Sequence, residues 1–223
     1  MLYLPVCLIC LGIVAGFLYM ENHKQYVIAV TLKGLASICF VALGILGAGI
    51  ASEAFPARLI VAGLIMGAAA DVLLGLRFVF TQRAKQVFLV GILVFLLGHV
   101  LYLVAVVPRC PVLIPSIIVG IAATALLMRW IFTKIEAENT FKMFGIVYVG
   151  VITILNVIAF ATMLTVPTTF SAIFVLGALL FLASDVVLIL NTFGPEERFD
   201  LRVSNIALYY LGQLLIALSL QVL

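Results

Sequence analysis

Eight apolar runs, each about 20 residues long, cover almost the whole chain and decide what it can fold into. A segment of that length crosses the hydrocarbon core of a bilayer as a helix, which satisfies its own backbone hydrogen bonds. The runs are Leu2–Met20, Tyr26–Ile50, Arg58–Leu76, Gln86–Val107, Val112–Phe132, Phe141–Leu164, Phe170–Asn191 and Ser204–Leu223. Only 9% of the residues are charged, against about 25% in soluble domains. We therefore predict an all-α integral membrane protein of eight transmembrane helices, folded as one domain over residues 1–223.

Lysine and arginine are distributed unevenly over the connections between these runs. Arg58 and Arg109 fall on the side that an even number of spans assigns to both termini. The other side, which we call the basic face, carries Lys24, Arg77, Arg83, Lys85, Arg129, Lys134, Lys142, Arg198 and Arg202. Short connections that face the cytoplasm carry the excess of basic residues. We therefore expect both termini to be non-cytoplasmic, although the same bias also suits contact with anionic lipid head groups.

The first half of the chain is repeated in the second half at an offset of 114 residues. Residues 70–74 read Ala-Asp-Val-Leu-Leu and residues 184–188 read Ser-Asp-Val-Val-Leu, while 97–101 and 211–215 share Leu-Gly followed by a polar residue. Because four spans restore the direction of the chain, the two halves point the same way. We predict a parallel 4+4 repeat with halves of about 1–110 and 111–223, and sites in such proteins tend to form where the repeats meet. Chance similarity between apolar segments is the alternative.

Two aspartates and one lysine interrupt the apolar runs at a common depth. Asp71 and Asp185 hold equivalent positions in the two halves, and Lys33 lies within the second run. At 1.5 Å per residue, all three lie about 8–10 Å from the basic ends of their helices. A charge inside a transmembrane helix costs about 2.5–3.5 kcal/mol on insertion scales, so we take the two aspartates as the centre of a site. Lys33 by itself could extend its side chain to the head groups, but it shares its depth with the two aspartates. Val147 occupies the repeat position of Lys33, so we expect the site to be asymmetric.

Four further polar side chains lie in the fourth and eighth runs. His99 and Tyr102 are three residues apart, as are Tyr210 and Gln213, so each pair shares one helix face. His99 could act near the carboxylates, or it could hydrogen-bond between helices. Its repeat equivalent, Gln213, cannot titrate. The sequence leaves both roles of His99 open.

Two buried carboxyl groups beside a lysine can hold different protonation states. Lys33 can pair with one aspartate, while burial and like-charge repulsion keep the other protonated as a general acid. An acid with an ionised partner that orients water suits the cleavage of an acetal or an enol ether. The sequence has no Gly-x-Ser-x-Gly, no His-Glu-x-x-His and no Cys/His metal spacing. We therefore predict neither a metal site nor a cofactor.

The same polar residues, in the same order, resemble the motifs of the YhhN-like, or transmembrane protein 86-like, lysoplasmalogenases. The residues that carry the resemblance are Lys33, the segment 71–74, His99 with Tyr102, Ser184 with Asp185, and Tyr210 with Gln213. The resemblance covers nearly the whole chain and its eight spans. This chain has Gly34 after the lysine and Ala70 before the first aspartate, where that family often has Pro and Gly.

The resemblance implies hydrolysis of the vinyl ether bond of a lysoplasmalogen, with release of a fatty aldehyde and a glycerophospho-alcohol. Asp71 and Asp185 would be the acid and the group that holds water, in either order, and Lys33 would set their protonation or bind the phosphate. The remaining polar residues would line the pocket: His99, Tyr102, Tyr210 and Gln213. The expected partners are a single-chain ether lysophospholipid and membrane lipids, without nucleic acid, and the oligomeric state is open. The expected location is the cell membrane of a bacterium or the endoplasmic reticulum of a eukaryote.

Other functions fit parts of the same pattern. Parallel repeats with intramembrane Asp and Lys also suit a proton-coupled or small-solute transporter, which uptake into sealed vesicles would reveal. Two aspartates can share a proton in an intramembrane aspartyl protease, but Tyr-Asp and Gly-x-Gly-Asp motifs are absent around Asp71 and Asp185. If the aspartates were purely structural, their replacement by Asn would change stability alone.

Overall fold

The computed structural model describes residues 3–223, and this part of the chain consists of long helices joined by short turns, without a β-strand. The helices are α1 (Tyr3–Asn22), α2 (Tyr26–Ala48), α3 (Ala54–Leu76), α4 (Ala84–Val106), α5 (Leu113–Phe132), α6 (Asn139–Thr165), α7 (Thr169–Phe193) and α8 (Phe199–Ser219). All eight are long and apolar enough to cross a membrane. The predicted fold class is therefore confirmed.

The helix ends differ from the predicted runs by a few residues, and the difference matters at the start of α8. The predicted start of the first run, Leu2, lies outside the described residues. Helix α8 begins at Phe199 rather than at Ser204, because Asp200 in its first turn suits the positive end of the helix dipole. The earlier start places Arg202 in the helix, where it pairs with Glu21 of α1 at 2.7 Å.

Ion pairs also join the connections at the two ends of the bundle. At the basic face, Lys85 in the first turn of α4 pairs with Glu138 before α6. At the opposite end, Arg109 after α4 pairs with Glu53 before α3 at 2.6 Å. The helix ends therefore alternate between the two faces as eight crossings require, and the assignment of the cytoplasmic side stays a prediction.

Two pairs of neighbouring helices approach closely at glycines. Helices α3 and α4 cross at Gly63 and Gly98, where a Cβ added to Gly63 would lie 2.9 Å from the Gly98 carbonyl oxygen. Helices α7 and α8 cross at Gly177 and Gly212, where a Cβ added to Gly177 would lie 2.8 Å from the Gly212 carbonyl oxygen. Each glycine of the first crossing lies 114 residues before its counterpart in the second. These crossings support the proposed repeat, which stays a prediction.

The variant Gly177→Ala is expected to lower the free energy of unfolding by about 1–3 kcal/mol, because the new methyl group overpacks the crossing of α7 and α8. It would lie within 3.0 Å of the backbone nitrogen of Ile216 as well as close to Gly212, and backbone atoms cannot move aside as a flexible side chain can. Gly12→Ala in α1 is the matched control, since nothing lies within 4 Å of its added Cβ. Thermal unfolding in detergent measures both variants, and equal midpoints would contradict the close crossing.

Candidate functional site

The centre of the site is an ion pair between α2 and α3. Lys33 Nζ lies 2.9 Å from Asp71 Oδ1, and the two residues are only 4% and 1% exposed. The hydroxyl groups of Ser37 and Tyr209 donate to Asp71 Oδ2 at 2.6 and 2.7 Å. A cation and two hydroxyl donors are a set of partners that suits a carboxylate. The lysine side chain therefore turns into the bundle, and the alternative that it reaches the head groups does not hold.

Asp185 on α7 is as deeply buried but has a different set of neighbours. Its Oδ2 accepts a hydrogen bond from the Tyr148 hydroxyl on α6 at 2.9 Å. Among residues 3–223, no lysine or arginine forms an ion pair with it. A buried carboxyl group without a cation is penalised most in its charged form, so these surroundings suit a neutral acid.

The two halves of the site differ at the position that Lys33 occupies in the first half. Its repeat equivalent, Val147, points away from the bundle and is 52% exposed. The next residue, Tyr148, is buried and hydrogen-bonds to Asp185. One aspartate therefore has a cation as partner and the other has a phenol, which is the kind of asymmetry that the valine at position 147 led us to expect.

Both aspartates line one pocket, which we call the polar pocket. Its charged and polar lining includes Lys33, Asp71, Arg77, Asp185, Arg202 and Tyr209. These residues come from α2, the end of α3, α7 and α8. The three polar groups predicted to share one depth thus converge on a common space.

A second space, which we call the apolar cavity, adjoins the polar pocket. It lies among α3, α4, α5, α6 and α7. Leu74, Phe95 and Leu188 line both spaces. Tyr148 also lines the apolar cavity, and its hydroxyl group binds Asp185. The junction therefore suits a molecule with a polar end, an apolar chain and a reactive bond between them.

The remaining predicted residues are not among those that line the polar pocket, and their role in binding substrate or tuning charge stays a prediction. Tyr102 donates to Gln213 Oε1 at 3.0 Å, and Gln213 Nε2 donates to the Tyr209 hydroxyl at 3.3 Å. Since Tyr209 donates to Asp71, these residues form a relay that ends on the carboxylate. Tyr210 donates to the backbone carbonyl of Lys33 at 3.0 Å. Tyr102, Tyr210 and Gln213 lie on helix faces that pack against neighbouring helices. They therefore support the Lys33–Asp71 ion pair from the side away from the polar pocket.

His99 also lies outside the lining of the polar pocket. Its Nδ1 donates to the carbonyl oxygen of Phe95 at 2.8 Å, one turn earlier in α4. Its buried Nε2 has no hydrogen-bond partner within residues 3–223. The ring packs edge-on against Phe181 and Tyr148, with centroids 4.4 and 5.8 Å away. The hydrogen bond of His99 therefore lies within α4 rather than between helices, and the ring packs against aromatic side chains of α6 and α7.

Several residues of the site were not singled out from the sequence. Ser37 and Tyr209 lie one turn from Lys33 and Gln213 on the same helix faces, so i,i+4 spacing from a known polar residue could have indicated them. Tyr148 directly follows Val147, the repeat equivalent of Lys33. That position was a weaker indication that Tyr148 belongs to the site. Arg77 and Arg202 were counted only as basic residues of the connections, and only the packing of the helix ends places them in the polar pocket.

Comparisons with known proteins agree with the motifs in the sequence. No curated protein and no solved structure matches this chain. The family model of the YhhN family matches residues 28–220, which is nearly the whole chain. The matched range includes both aspartates, their partners and the residues that line the two cavities. The chain therefore belongs to the YhhN family, as the resemblance of its polar motifs predicted.

Proposed function

We propose that this protein is a membrane-embedded hydrolase that cleaves the vinyl ether bond of lysoplasmalogens. The observation that carries the proposal is the unequal pair of buried carboxyl groups in one pocket. Asp71 is paired with Lys33 at 2.9 Å, whereas Asp185 has the Tyr148 hydroxyl as its partner. Membership of the YhhN family is consistent with this activity.

In the proposed reaction, Asp185 is the acid and Asp71 remains a carboxylate. Asp185 transfers its proton to the double-bond carbon of the enol ether that does not carry the oxygen. The electron pair of the double bond forms the new C–H bond. The carbon attached to oxygen becomes an oxocarbenium ion, which a nearby carboxylate stabilises. Water adds to that carbon and gives up a proton to Asp185, which restores the acid. The resulting hemiacetal loses the glycerol oxygen as an alcohol and becomes the aldehyde, so the reaction consumes one water molecule.

The polar and apolar linings of the two adjoining spaces match the chemical character of the two parts of such a substrate. In our proposal, the alkenyl chain lies in the apolar cavity and the glycerophospho group in the polar pocket. The vinyl ether bond then lies at the junction lined by Leu74, Phe95 and Leu188, next to the carboxyl groups. The polar pocket lies toward the basic face, because Arg77 and Arg202 belong to the helix ends there. A single-chain lipid can reach it from the bilayer. The membrane would be the cell membrane in a bacterium or the endoplasmic reticulum in a eukaryote.

The experiment that tests this function is aldehyde release by the purified protein in detergent. A lysoplasmalogen should yield a fatty aldehyde, whereas an ester-linked lysolipid of the same head group should remain intact. In deuterium oxide, the aldehyde should gain deuterium on the carbon next to the carbonyl group, because the acid protonates carbon. Absence of aldehyde from a folded protein would refute the proposal, and cleavage of the ester would contradict its selectivity.

The variant Tyr148→Phe is expected to lower kcat about tenfold, because the loss of one hydrogen bond to a catalytic carboxyl group is worth about 1–1.5 kcal/mol. KM should change by less than about twofold, since the phenyl ring still lines the apolar cavity and binding energy is retained. Tyr19→Phe is the matched control, because Tyr19 is 60% exposed on α1. An unchanged kcat in Tyr148→Phe would show that the hydroxyl group does not position Asp185.

A further inference from the structure

Arg77 is the cation of the polar pocket that has no ion-pair partner in the described part of the chain. Lys33 is paired with Asp71 at 2.9 Å. Arg202 binds Glu21 through two nitrogens at 2.7 and 2.9 Å, and its third nitrogen donates to Asn205 at 3.3 Å. Arg77, in contrast, forms no ion pair with any carboxylate of residues 3–223.

The Arg77 guanidinium group is held in place by aromatic rings. Its central carbon lies 4.7 Å from the centroid of the Phe78 ring and 4.7 Å from that of Phe88. Aromatic faces attract a guanidinium group without using its N–H donors. Arg77 lines the polar pocket, and no hydrogen bond within residues 3–223 uses the N–H donors of its guanidinium group.

Arg77 remains a cation at neutral pH. Burial and the neighbouring charge of Arg202 lower the pKa of its guanidinium group to about 10, while Glu197 and Glu21 act in the opposite direction. Neither Glu197 nor Glu21 forms an ion pair with Arg77 within residues 3–223. A buried or half-buried cation without a counterion favours the binding of an anion.

We propose that Arg77 binds the phosphate of the substrate head group and makes the enzyme selective for phosphate-bearing lysolipids, an inference that rests on the function proposed above. Arg77 follows Asp71 by six residues and keeps helical backbone angles, so it lies about 9 Å farther along the helix axis. A three-carbon glycerol backbone separates the phosphate from the ether oxygen, and the long arginine side chain covers the rest of the distance. The planar fork of a guanidinium group matches two phosphate oxygens.

The test compares two substrates that share the vinyl ether bond: a lysoplasmalogen and the 1-alkenylglycerol that lacks its phosphate. Arg77→Gln should raise KM for the lysoplasmalogen about 10- to 100-fold, the effect of losing a charged hydrogen bond. For the 1-alkenylglycerol, kcat/KM should remain within about twofold of wild type, because no contact to phosphate is lost. For the lysoplasmalogen, the KM of Arg77→Lys should fall between those of wild type and Arg77→Gln, because lysine keeps the charge without the fork.

Arg83→Gln is the matched control, because Arg83 is an exposed arginine of the same connection that lines neither cavity. Arg83→Gln should keep the wild-type KM and kcat/KM for both substrates. Equal losses on both substrates in Arg77→Gln, or an unchanged KM for the lysoplasmalogen, would overturn the proposal.

A binding measurement separates this site from the catalytic proposal. If wild type hydrolyses neither vinyl ether, the proposed function fails, but the anion site can still be tested with an ester-linked lysophospholipid, a monoacylglycerol and inorganic phosphate. The lysophospholipid should raise the thermal unfolding midpoint of wild type and Arg83→Gln more than the monoacylglycerol does, and Arg77→Gln should lose that difference. A full shift by inorganic phosphate alone would overturn the assignment to a lipid head group.

Discussion

The variant Asp185→Asn is expected to lose about 100- to 10,000-fold in vinyl ether hydrolysis, the range by which a general acid accelerates a reaction. The amide has nearly the shape of the carboxyl group and can still accept the hydrogen bond from Tyr148. It cannot transfer a proton to carbon, so the first step of the proposed reaction is blocked. Because Asp185 has no ion pair within residues 3–223, the substitution leaves no charge without its partner. The free energy of unfolding should therefore change by less than about 1 kcal/mol.

Aldehyde release in detergent, together with thermal unfolding of the same preparations, measures this prediction. The matched control is Asp200→Asn, because Asp200 is an exposed aspartate of α8 whose ion-pair partner is the exposed Arg198. It should retain the wild-type rate. If Asp185→Asn hydrolysed lysoplasmalogen at a rate close to that of the control, Asp185 could not be the acid. If it unfolded instead, a structural role would explain the residue.

The variant Asp71→Asn is expected to lose both activity and stability. It leaves Lys33 as a buried cation without a counterion, and breaking a buried ion pair in this way costs about 3–5 kcal/mol. It also removes the carboxylate that would stabilise the oxocarbenium ion. The loss of hydrolysis should be at least comparable to that in Asp185→Asn, and the loss of stability much larger.

The double variant Lys33→Met with Asp71→Asn separates the two effects. Because both charges are removed together, no buried charge is left without a counterion and most of the stability should return. Hydrolysis should not return, since the carboxylate is still missing. Unfolding in detergent and aldehyde release give the two readouts. Equal instability of the single and double variants would show that the ion pair is not the cause, and an active double variant would exclude Asp71 from the reaction.

The sequence by itself determined the fold class and the depth of the site. Runs of about 20 apolar residues leave a chain no alternative to spanning helices, and the eight helices of the structure follow those runs closely. The cost of a charge in hydrocarbon indicated that Lys33, Asp71 and Asp185 are candidate functional residues. The offset of 114 residues predicts equivalent positions for the two aspartates, with Val147 in the position equivalent to Lys33.

The tertiary structure decided which groups are partners. It pairs Lys33 with Asp71 rather than with Asp185, supplies Asp185 with Tyr148, and brings Arg77 to the rim of the same pocket. It also moves His99 and Gln213 behind the pocket, although both lie in the polar motifs. In a soluble helix, an apolar stripe would have indicated the buried face. Lipid is as apolar as the interior of the bundle, so the pattern of apolar residues does not mark the face that packs inward. The rotation of each helix depends instead on glycine crossings and interhelical hydrogen bonds, which form only when the helices meet.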